Sequence, residues 1–487
     1  MRRTNSLRIM SIYIYNSLTR KKEEFKPQNP PEVKMYTCGV TVYDECHIGH
    51  ARSLYIFDVI KRYLKYRGYK VKFVRNITDI DDKIINKAKE LGIPTNEVSG
   101  KFTESYQKDL GLLGIGQAEK EPKATENIND MIKHVKGLVD KGYAYESGGD
   151  VYFRVRKFKD YGKLSGQSID QMMTGVRKEP GENKEDPLDF ALWKKSKEGE
   201  PYWQSPWGNG RPGWHIECSV MSMKYLKADT LDVHAGGRDL IFPHHENEIA
   251  QSEALTGKQF AKYWIHHGLL TINGQKMAKS LGNFVTIKDF ISEYKYADIL
   301  KLFFLSTHYS QPIDYNEKSI EAARQALERI SILIRKAEGK DATQATSKKY
   351  EKIEDLKTKF IEAMDDDFNT PEALASIFEL VTVTNKNIED SDFLHYSRET
   401  LRELLDIFSL SLSQSVTITP GTLPLSAQLP EPTIITDEEI ERRIKLRLEY
   451  KKQKKYKEAD KIRKELQEYG IILEDLKDGT TGIRRKL

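Results

Sequence analysis

The most constraining feature of this chain is a change of period near residue 48. Val33 to Gly39 (VKMYTCG) reads as a short buried strand ending at a glycine. His50 to Tyr66 carries apolar residues at helical spacing, and Tyr69 to Asn76 (YKVKFVRN) alternates like a second strand. Strand, turn, helix and strand in succession read as the opening of a parallel α/β sheet.

The rhythm returns later. Leu231 to Ala235 reads as a strand, followed by a Gly236-Gly237 turn and a helix from Pro243. Between the two halves, Lys101 to Tyr145 has a helical pattern and Asp150 to Lys157 reads as a strand. Thr174 to Gly213 is rich in Gly, Pro and charge and reads as loops of an inserted module. From Asp289 to about Phe408 the pattern is almost entirely helical, and a Ser/Thr/Pro-rich linker follows. At 487 residues, with 43 Tyr and Phe side chains, the chain can bury sizeable cores and is not disordered as a whole. Its three cysteines exclude a disulfide scaffold and fit a reducing compartment, so a cytoplasmic location is expected. No apolar run approaches the roughly 20 residues of a membrane span, so no membrane partner is expected. The basic N-terminus before Met10 reads as an extension rather than a secretory signal.

The net charge of +5 is unevenly placed. Residues 441–487 carry +7, which leaves −2 for the rest. The tail segment YKKQKKYKEADKIRKEL reads as one helix, with Tyr450, Tyr456, Ala459, Ile462 and Leu466 on an apolar stripe and its lysines opposite. A basic end on a near-neutral body suits a polyanion, nucleic acid above all.

Three groups of residues carry chemistry. His47 and His50 flank Gly49 at the start of the first helix. A helix N-terminus attracts phosphate, and the glycine lets a flat ring approach the backbone. Lys276 and Lys279 stand in a Gly-flanked loop that suits a mobile clamp on polyphosphate. Cys38, Cys218, His244 and Glu248 are zinc-ligating residue types, with His244 and Glu248 four apart on one helix face. On residue type alone each buried Cys reads equally well as a small hydrophobe. The run HHENE lacks the second histidine that a zinc protease needs at the required spacing.

His47-Ile48-Gly49-His50 and Lys276-Met277-Ala278-Lys279-Ser280 together resemble the HIGH and KMSKS signatures of class I aminoacyl-tRNA synthetases. The flanking stretches resemble the cysteinyl-tRNA synthetase family in particular. They are CGVTVYDECHIGHAR, VRNITDIDDKI, RPGWHIECSVMS, FPHHENEIAQSEA, KMAKSLGNF and MDDDFNTPEALA, in that order.

The resemblance implies an α/β fold. A Rossmann-type catalytic domain is split into residues 1–120 and 213–265 by a connective module at 121–212. A stem-contact region bearing the second signature (266–315), a tRNA-binding helical bundle (316–410), a linker (411–435) and a basic anticodon-binding domain (436–487) would follow. It implies L-cysteine, ATP and tRNA(Cys) as partners, a monomer, one zinc held by Cys38, Cys218, His244 and Glu248, and magnesium entering with ATP. His47, His50, Lys276 and Lys279 would act on the phosphates, with Gly49 and Asp239 also at the nucleotide. Gly39, Thr78, Trp214 and His234 would frame the amino acid, and Asp239 would hold a ribose hydroxyl or the amino group.

The chain departs from the family pattern at three points. Val40 replaces a common proline, Ala278 replaces the signature serine, and Gly482-Ile483-Arg484-Arg485 lacks the usual preceding tryptophan. Two other functions are consistent with the core: a cysteine-activating ligase with an amino-sugar acceptor, and a catalytically dead RNA-binding paralogue. Cys46, beside His47, would have a lowered pKa if it faced the phosphate site; the reading preferred is an inert packed thiol.

Overall fold

The structure is a computed structural model, and it describes residues 11–175, 184–338, 349–411, 437–452, 455–468, 471–475 and 481–485. The extension before Met10 and nearly all of the expected linker lie outside the described residues. The chain forms two compact units: Met1–Glu293 with Ala297–Gln414, and Ser415–Leu487 with Tyr294–Tyr296.

A four-stranded parallel sheet organises the larger unit. Strand β1 (Glu32–Thr41) leads through helix α1 (Ile48–Tyr66) to β2 (Lys70–Thr78). The second half supplies α2 (Trp214–Leu226), β3 (Leu231–Gly237), α3 (Glu246–Thr256) and β4 (Ala261–His267). The sheet order is β4-β3-β1-β2. From the central pair the chain winds outward in opposite directions, so a crevice opens at the carboxyl ends of β1 and β3. β3 reads LDVHAGG and every residue in it is buried, as a strand covered on both faces requires. The Gly-Gly pair expected as a turn therefore ends the strand, and the helix proper begins at Glu246 after Ile241–His245, a segment kinked at the extended Phe242.

α1 is buried on more than one side because it lies between the sheet and the helical region. Tyr55 donates to the Phe408 carbonyl at 2.7 Å and Tyr63 to Asp365 Oδ1 at 2.6 Å. Arg52, fully buried, donates to the carbonyls of Gly268, Leu269, Tyr309 and Gln311. The helix bearing the first signature is thereby tied to the segments flanking the second.

The module between the two halves differs from expectation. Residues 144–212 include a five-stranded antiparallel sheet built from Ala144–Ser147, Asp150–Phe153, Phe190–Lys195, Gly208–Pro212 and Trp203–Ser205. Trp203–Ser205 and Gly208–Pro212 are short, polar or glycine-bearing strands, which is why the segment reads as loops. Only Leu192 and Trp193 are wholly buried on the third strand. Beyond the parallel sheet, helices span Glu317–Glu338, Glu351–Asp365, Thr370–Lys386 and Ser391–Ile407, as the helical periodicity requires.

In the smaller unit, helices Asp437–Lys452 and Tyr456–Glu468 accompany an antiparallel pair, Ile471–Asp475 with Thr481–Arg485. Ile444, Ile462, Leu466 and Leu473 form its core. The single helix expected across YKKQKKYKEADKIRKEL is thus two helices. Ala459, Ile462 and Leu466 are buried as the stripe requires, and Lys461 and Lys464 are exposed.

Candidate active site

The parallel register of β1 on β2 breaks between Thr37 and Val40. Cys38 and Gly39 occupy the irregularity, which re-aims the side chain of Cys38. Gly39 is required there by close approach. A Cβ would stand 2.7 Å from the carbonyl carbon of Asn76 and closer still to its oxygen. The Gly39 N–H donates to Asn76 Oδ1 at 2.8 Å.

One donor atom from each of Cys38, Cys218, His244 and Glu248 lies within 4.8 Å of the other three. Cys38 Sγ is 3.5 Å from Glu248 Oε1, and His244 Nε2 is 3.1 Å from the same oxygen. A tetrahedral zinc with bonds of about 2.0–2.3 Å has ligand–ligand edges of roughly 3.3–3.8 Å, close to these separations. His244 Nδ1 meets His215 Nδ1 at 2.9 Å, while His244 Nε2 makes no hydrogen bond of its own. Its lone pair is therefore available to a metal. Burial, then the neighbouring Cys218 and Glu248, push the Cys38 thiol well above its ordinary value. Burial likewise raises Cys218 and holds His244 neutral. Sulfur and carboxylate crowded together in a dry pocket call for a cation, and the donor set fits zinc.

A second quartet, Cys38, His234, His245 and Glu248, meets the same distance limit. Its histidines are already engaged: His234 Nε2 lies 2.7 Å from Glu248 Oε2 and His245 Nε2 lies 3.3 Å from Cys38 Sγ. His245 Nδ1 also meets His266 Nε2 at 2.8 Å. These contacts orient the sulfur and the carboxylate, the part that outer groups play around a metal.

Trp214, His234 and Thr78 lie around this cluster, and Asp239 stands apart from it. Trp214, 38% exposed, stacks on His244 with ring centroids 4.0 Å apart. His234 is fully buried against Trp264. Thr78 donates to Glu217 Oε2 at 2.7 Å. Glu217 is itself wholly buried, and burial raises its carboxyl well above the usual range. Asp239 sits exposed on the short turn Arg238–Leu240 that leaves β3.

His47 caps α1. Its Nδ1 accepts the N–H groups of Gly49 and His50 at 3.1 and 3.3 Å, and His50 Nδ1 accepts the His47 N–H at 3.3 Å. The two rings stack at 3.7 Å. Burial lowers His47 to about 4 and His50 to about 3. Both imidazoles are thus neutral near pH 7, and with each Nδ1 accepting, each proton is on Nε2. The pair presents two neutral donors.

The two signature segments meet here. Ile48 N–H donates to the Val285 carbonyl at 3.1 Å, and Ile287 N–H donates to the Cys46 carbonyl at 2.9 Å. A Cβ at Gly49 would lie 3.4 Å from Met277 Cε. Lys279 pairs with Asp44 and lies 5.0 Å over the Phe284 ring, which is edge-on to His47. Lys276 is exposed on the same loop. Asn283 shapes the loop by accepting from the Ala278 N–H at 2.8 Å and donating to the Lys276 carbonyl at 3.2 Å.

Cys46 is buried, and burial together with Asp109 and Glu45 pushes its thiol up. It is a packed thiol. Sequence reasoning assigned no role to His215, His245 and Glu217, although His245 and Glu217 adjoin proposed ligands and His215 precedes Cys218 in WHIEC. It also missed His266, Asp44 and Phe284. Among the described residues no helix is long and apolar enough to cross a membrane.

Residues 24–325 match the family model "tRNA synthetases class I (C) catalytic domain", and residues 359–413 match the DALR domain. The chain is 50% identical over 476 residues to a cysteine–tRNA ligase of Anoxybacillus flavithermus, covering 97% of this chain and 99% of that protein. It is 50% identical over 485 residues to one of Thermodesulfovibrio yellowstonii, covering 96% and 98%. Among solved structures, Mycobacterium tuberculosis methionyl-tRNA synthetase in complex with methionyl-adenylate superposes with a TM-score of 0.57 at 14% identity, over 77% of this chain and 90% of that one. A leucyl-tRNA synthetase ternary complex from Agrobacterium radiobacter gives 0.59 at 12% identity, over 80% and 85%.

Proposed function

This chain belongs to the cysteine–tRNA ligases of the class I synthetases, and we propose that it activates L-cysteine with ATP and transfers it to the 3′ end of tRNA(Cys). The observation that carries the reading is a cluster of thiol, imidazole and carboxylate donors at the sheet, with a pair of neutral histidines beside a lysine-bearing loop at the start of the next helix.

Cys38, Cys218, His244 and Glu248 would hold a zinc ion. Zinc bound there would favour a substrate thiolate over a hydroxyl, lowering a thiol pKa from about 8.5. The chain's own residues do the rest. Trp214 covers His244 and closes one wall of the amino-acid pocket. Thr78 and His234 line it, and Asp239 stands where the nucleotide ribose or the amino group would lie. Serine would meet a site that gains nothing from its hydroxyl, whereas ordinary packing discriminates only about 10- to 200-fold per small group.

In the first step the cysteine carboxylate attacks the ATP α-phosphorus, cysteinyl-adenylate forms and pyrophosphate leaves, with magnesium arriving on the ATP. His47 and His50 donate from Nε2 to the phosphates, and Lys276 and Lys279 close on them. The contribution is positioning and electrostatics, since imidazoles that stay neutral near pH 7 donate hydrogen bonds from Nε2 without changing protonation state. In the second step a hydroxyl of the terminal ribose of the tRNA attacks the adenylate carbonyl, the bond from that carbonyl to the phosphate oxygen breaks, AMP leaves and the cysteinyl ester forms. The helical region and the basic smaller unit favour RNA as acceptor over an amino sugar.

The test is cysteine-dependent ATP–pyrophosphate exchange, with zinc quantified in the same preparation and serine as competitor. Exchange with cysteine alone, at about one zinc per chain, supports the reading, and charging of tRNA(Cys) completes it. A folded, zinc-loaded protein without exchange overturns it.

A further inference from the structure

Two carboxylates stand side by side just before His47, and each holds a lysine of the second signature segment. Asp44 pairs with Lys279 on the loop itself. Glu45 takes Lys288 at 2.7 Å, at the start of helix Ile287–Tyr294 where the loop ends. The two ties differ in kind.

The Glu45 tie belongs to a fixed root. The Lys288 side chain is 25% exposed and also donates to Ser105 Oγ at 2.8 Å, and Ser105 in turn donates to Glu45. Next to it run the backbone hydrogen bonds from Ile48 to Val285 and from Ile287 to Cys46, and a bridge pairs His47 with Thr286. Loosening this root would require several bonds to break together.

The Asp44 tie is exposed and single. The Lys279 side chain is 59% exposed, against 20% for Asp44. Beyond the ion pair, its ammonium lies over the face of Phe284 at 5.0 Å, and that ring touches His47 edge-on at 5.2 Å. Lys279 therefore rests one ring away from the donors that would meet the nucleotide phosphates. An ammonium engaged with Asp44 is not free to neutralise phosphate, and a carboxylate left beside a triphosphate repels it.

We propose that Asp44 is a positioning residue: a releasable counter-ion that parks Lys279 beside His47 until ATP arrives, while Glu45 and Lys288 keep the loop root fixed. ATP closes the loop by exchanging phosphate for carboxylate at Lys279. The parked fraction lowers apparent ATP affinity, because affinity scales with the population free to bind. A largely exposed ion pair shifts such a population by roughly 1.5- to 5-fold. The inference rests on the reading of the loop lysines as a phosphate clamp.

The experiment compares D44N, E45Q and K279M in the full zinc-loaded chain. ATP–pyrophosphate exchange gives KM for ATP and kcat, and amide hydrogen exchange without ATP follows residues 275–283. D44N is expected to lower KM for ATP about 1.5- to 5-fold, with a smaller change in kcat and faster exchange of the loop amides. E45Q is expected to move the other way, with a higher KM and a lower kcat. A KM in D44N that rises or stays put while K279M is impaired overturns the latch, since Asp44 would then support ATP binding or be irrelevant to it. If K279M retains the parent's KM and kcat, the phosphate clamp itself is wrong and the latch falls with it. Should D44N fail to fold, D44S carries the same prediction.

Discussion

Gly39 offers the sharpest test of how the sheet builds the metal donors. In Gly39→Ala the new Cβ would lie 2.7 Å from the Asn76 carbonyl carbon, where real Cβ atoms stay beyond 3.0 Å and ordinary contact begins at 3.4 Å. Both partners are backbone of paired strands, so no side chain can swing away. The Asn76 carbonyl oxygen lies closer still, so β1 and β2 must part by several times the roughly 0.2 Å tolerance of a metal–ligand distance. Overpacking of this kind costs about 1–3 kcal/mol, which a unit of this size can absorb and stay folded. The functional loss should be larger than the stability loss, because Cys38 is the adjacent residue and Asn76 holds the Gly39 N–H. Zinc affinity is expected to fall about 10- to 100-fold, the usual effect of disturbing the supports of a ligand. The assay is competition with a chromophoric chelator, beside thermal melting of the same samples. A Gly39→Ala protein that melts a few degrees lower but binds zinc as tightly as the parent would refute the argument that the register break aims Cys38.

The two remaining predictions concern titratable groups on the first signature turn. Because burial pushes the Cys46 thiol up, iodoacetamide should leave Cys46 of the native protein unlabelled with or without ATP; fast labelling that ATP blocks would count against the packed-thiol assignment. His47 and His50 are lowered to about 4 and about 3 from 6.5, so their unfolded forms bind protons first on acidification. Their contribution to stability is fully present above about pH 6.5 and lost as pH falls through 4 to 3; the activation rate should show no histidine titration between pH 6 and 8 assignable to either. NMR titration of either ring with a midpoint above 6 would contradict this.

What the sequence made legible divides along physical lines. Local periodicity was enough for β1, α1 and β2, because apolar alternation and helical spacing are written into consecutive residues. It was not enough for the inserted sheet. Strands such as Gly208–Pro212 and Trp203–Ser205 hold together through cross-strand pairing, and the glycines, proline and polar residues in them look like loop composition. The helical pattern of the tail is met by two helices sharing one apolar stripe, since both pack on one small core that includes Ile444 and Ile462.

The candidate site is a harder case. Cys38 and Glu248 are 210 residues apart and 3.5 Å distant, and nothing in their spacing says so. They meet because β3 pairs in parallel with β1, with Ala235 opposite Thr37. That pairing is a property of the sheet and not of either strand. Here the resemblance to a family supplied what spacing could not. Residue types in HHENE suggested His244 but gave His245 no role. His245 answers a different need. It is the residue between the sulfur of Cys38 and the ring of His266, and a buried ligand that must be aimed requires such a neighbour. A donor proposed from sequence therefore implies a second polar residue nearby to orient it. Here that residue was adjacent in the chain to His244, and the same reasoning applied to WHIEC leads to His215, whose ring nitrogen meets that of His244.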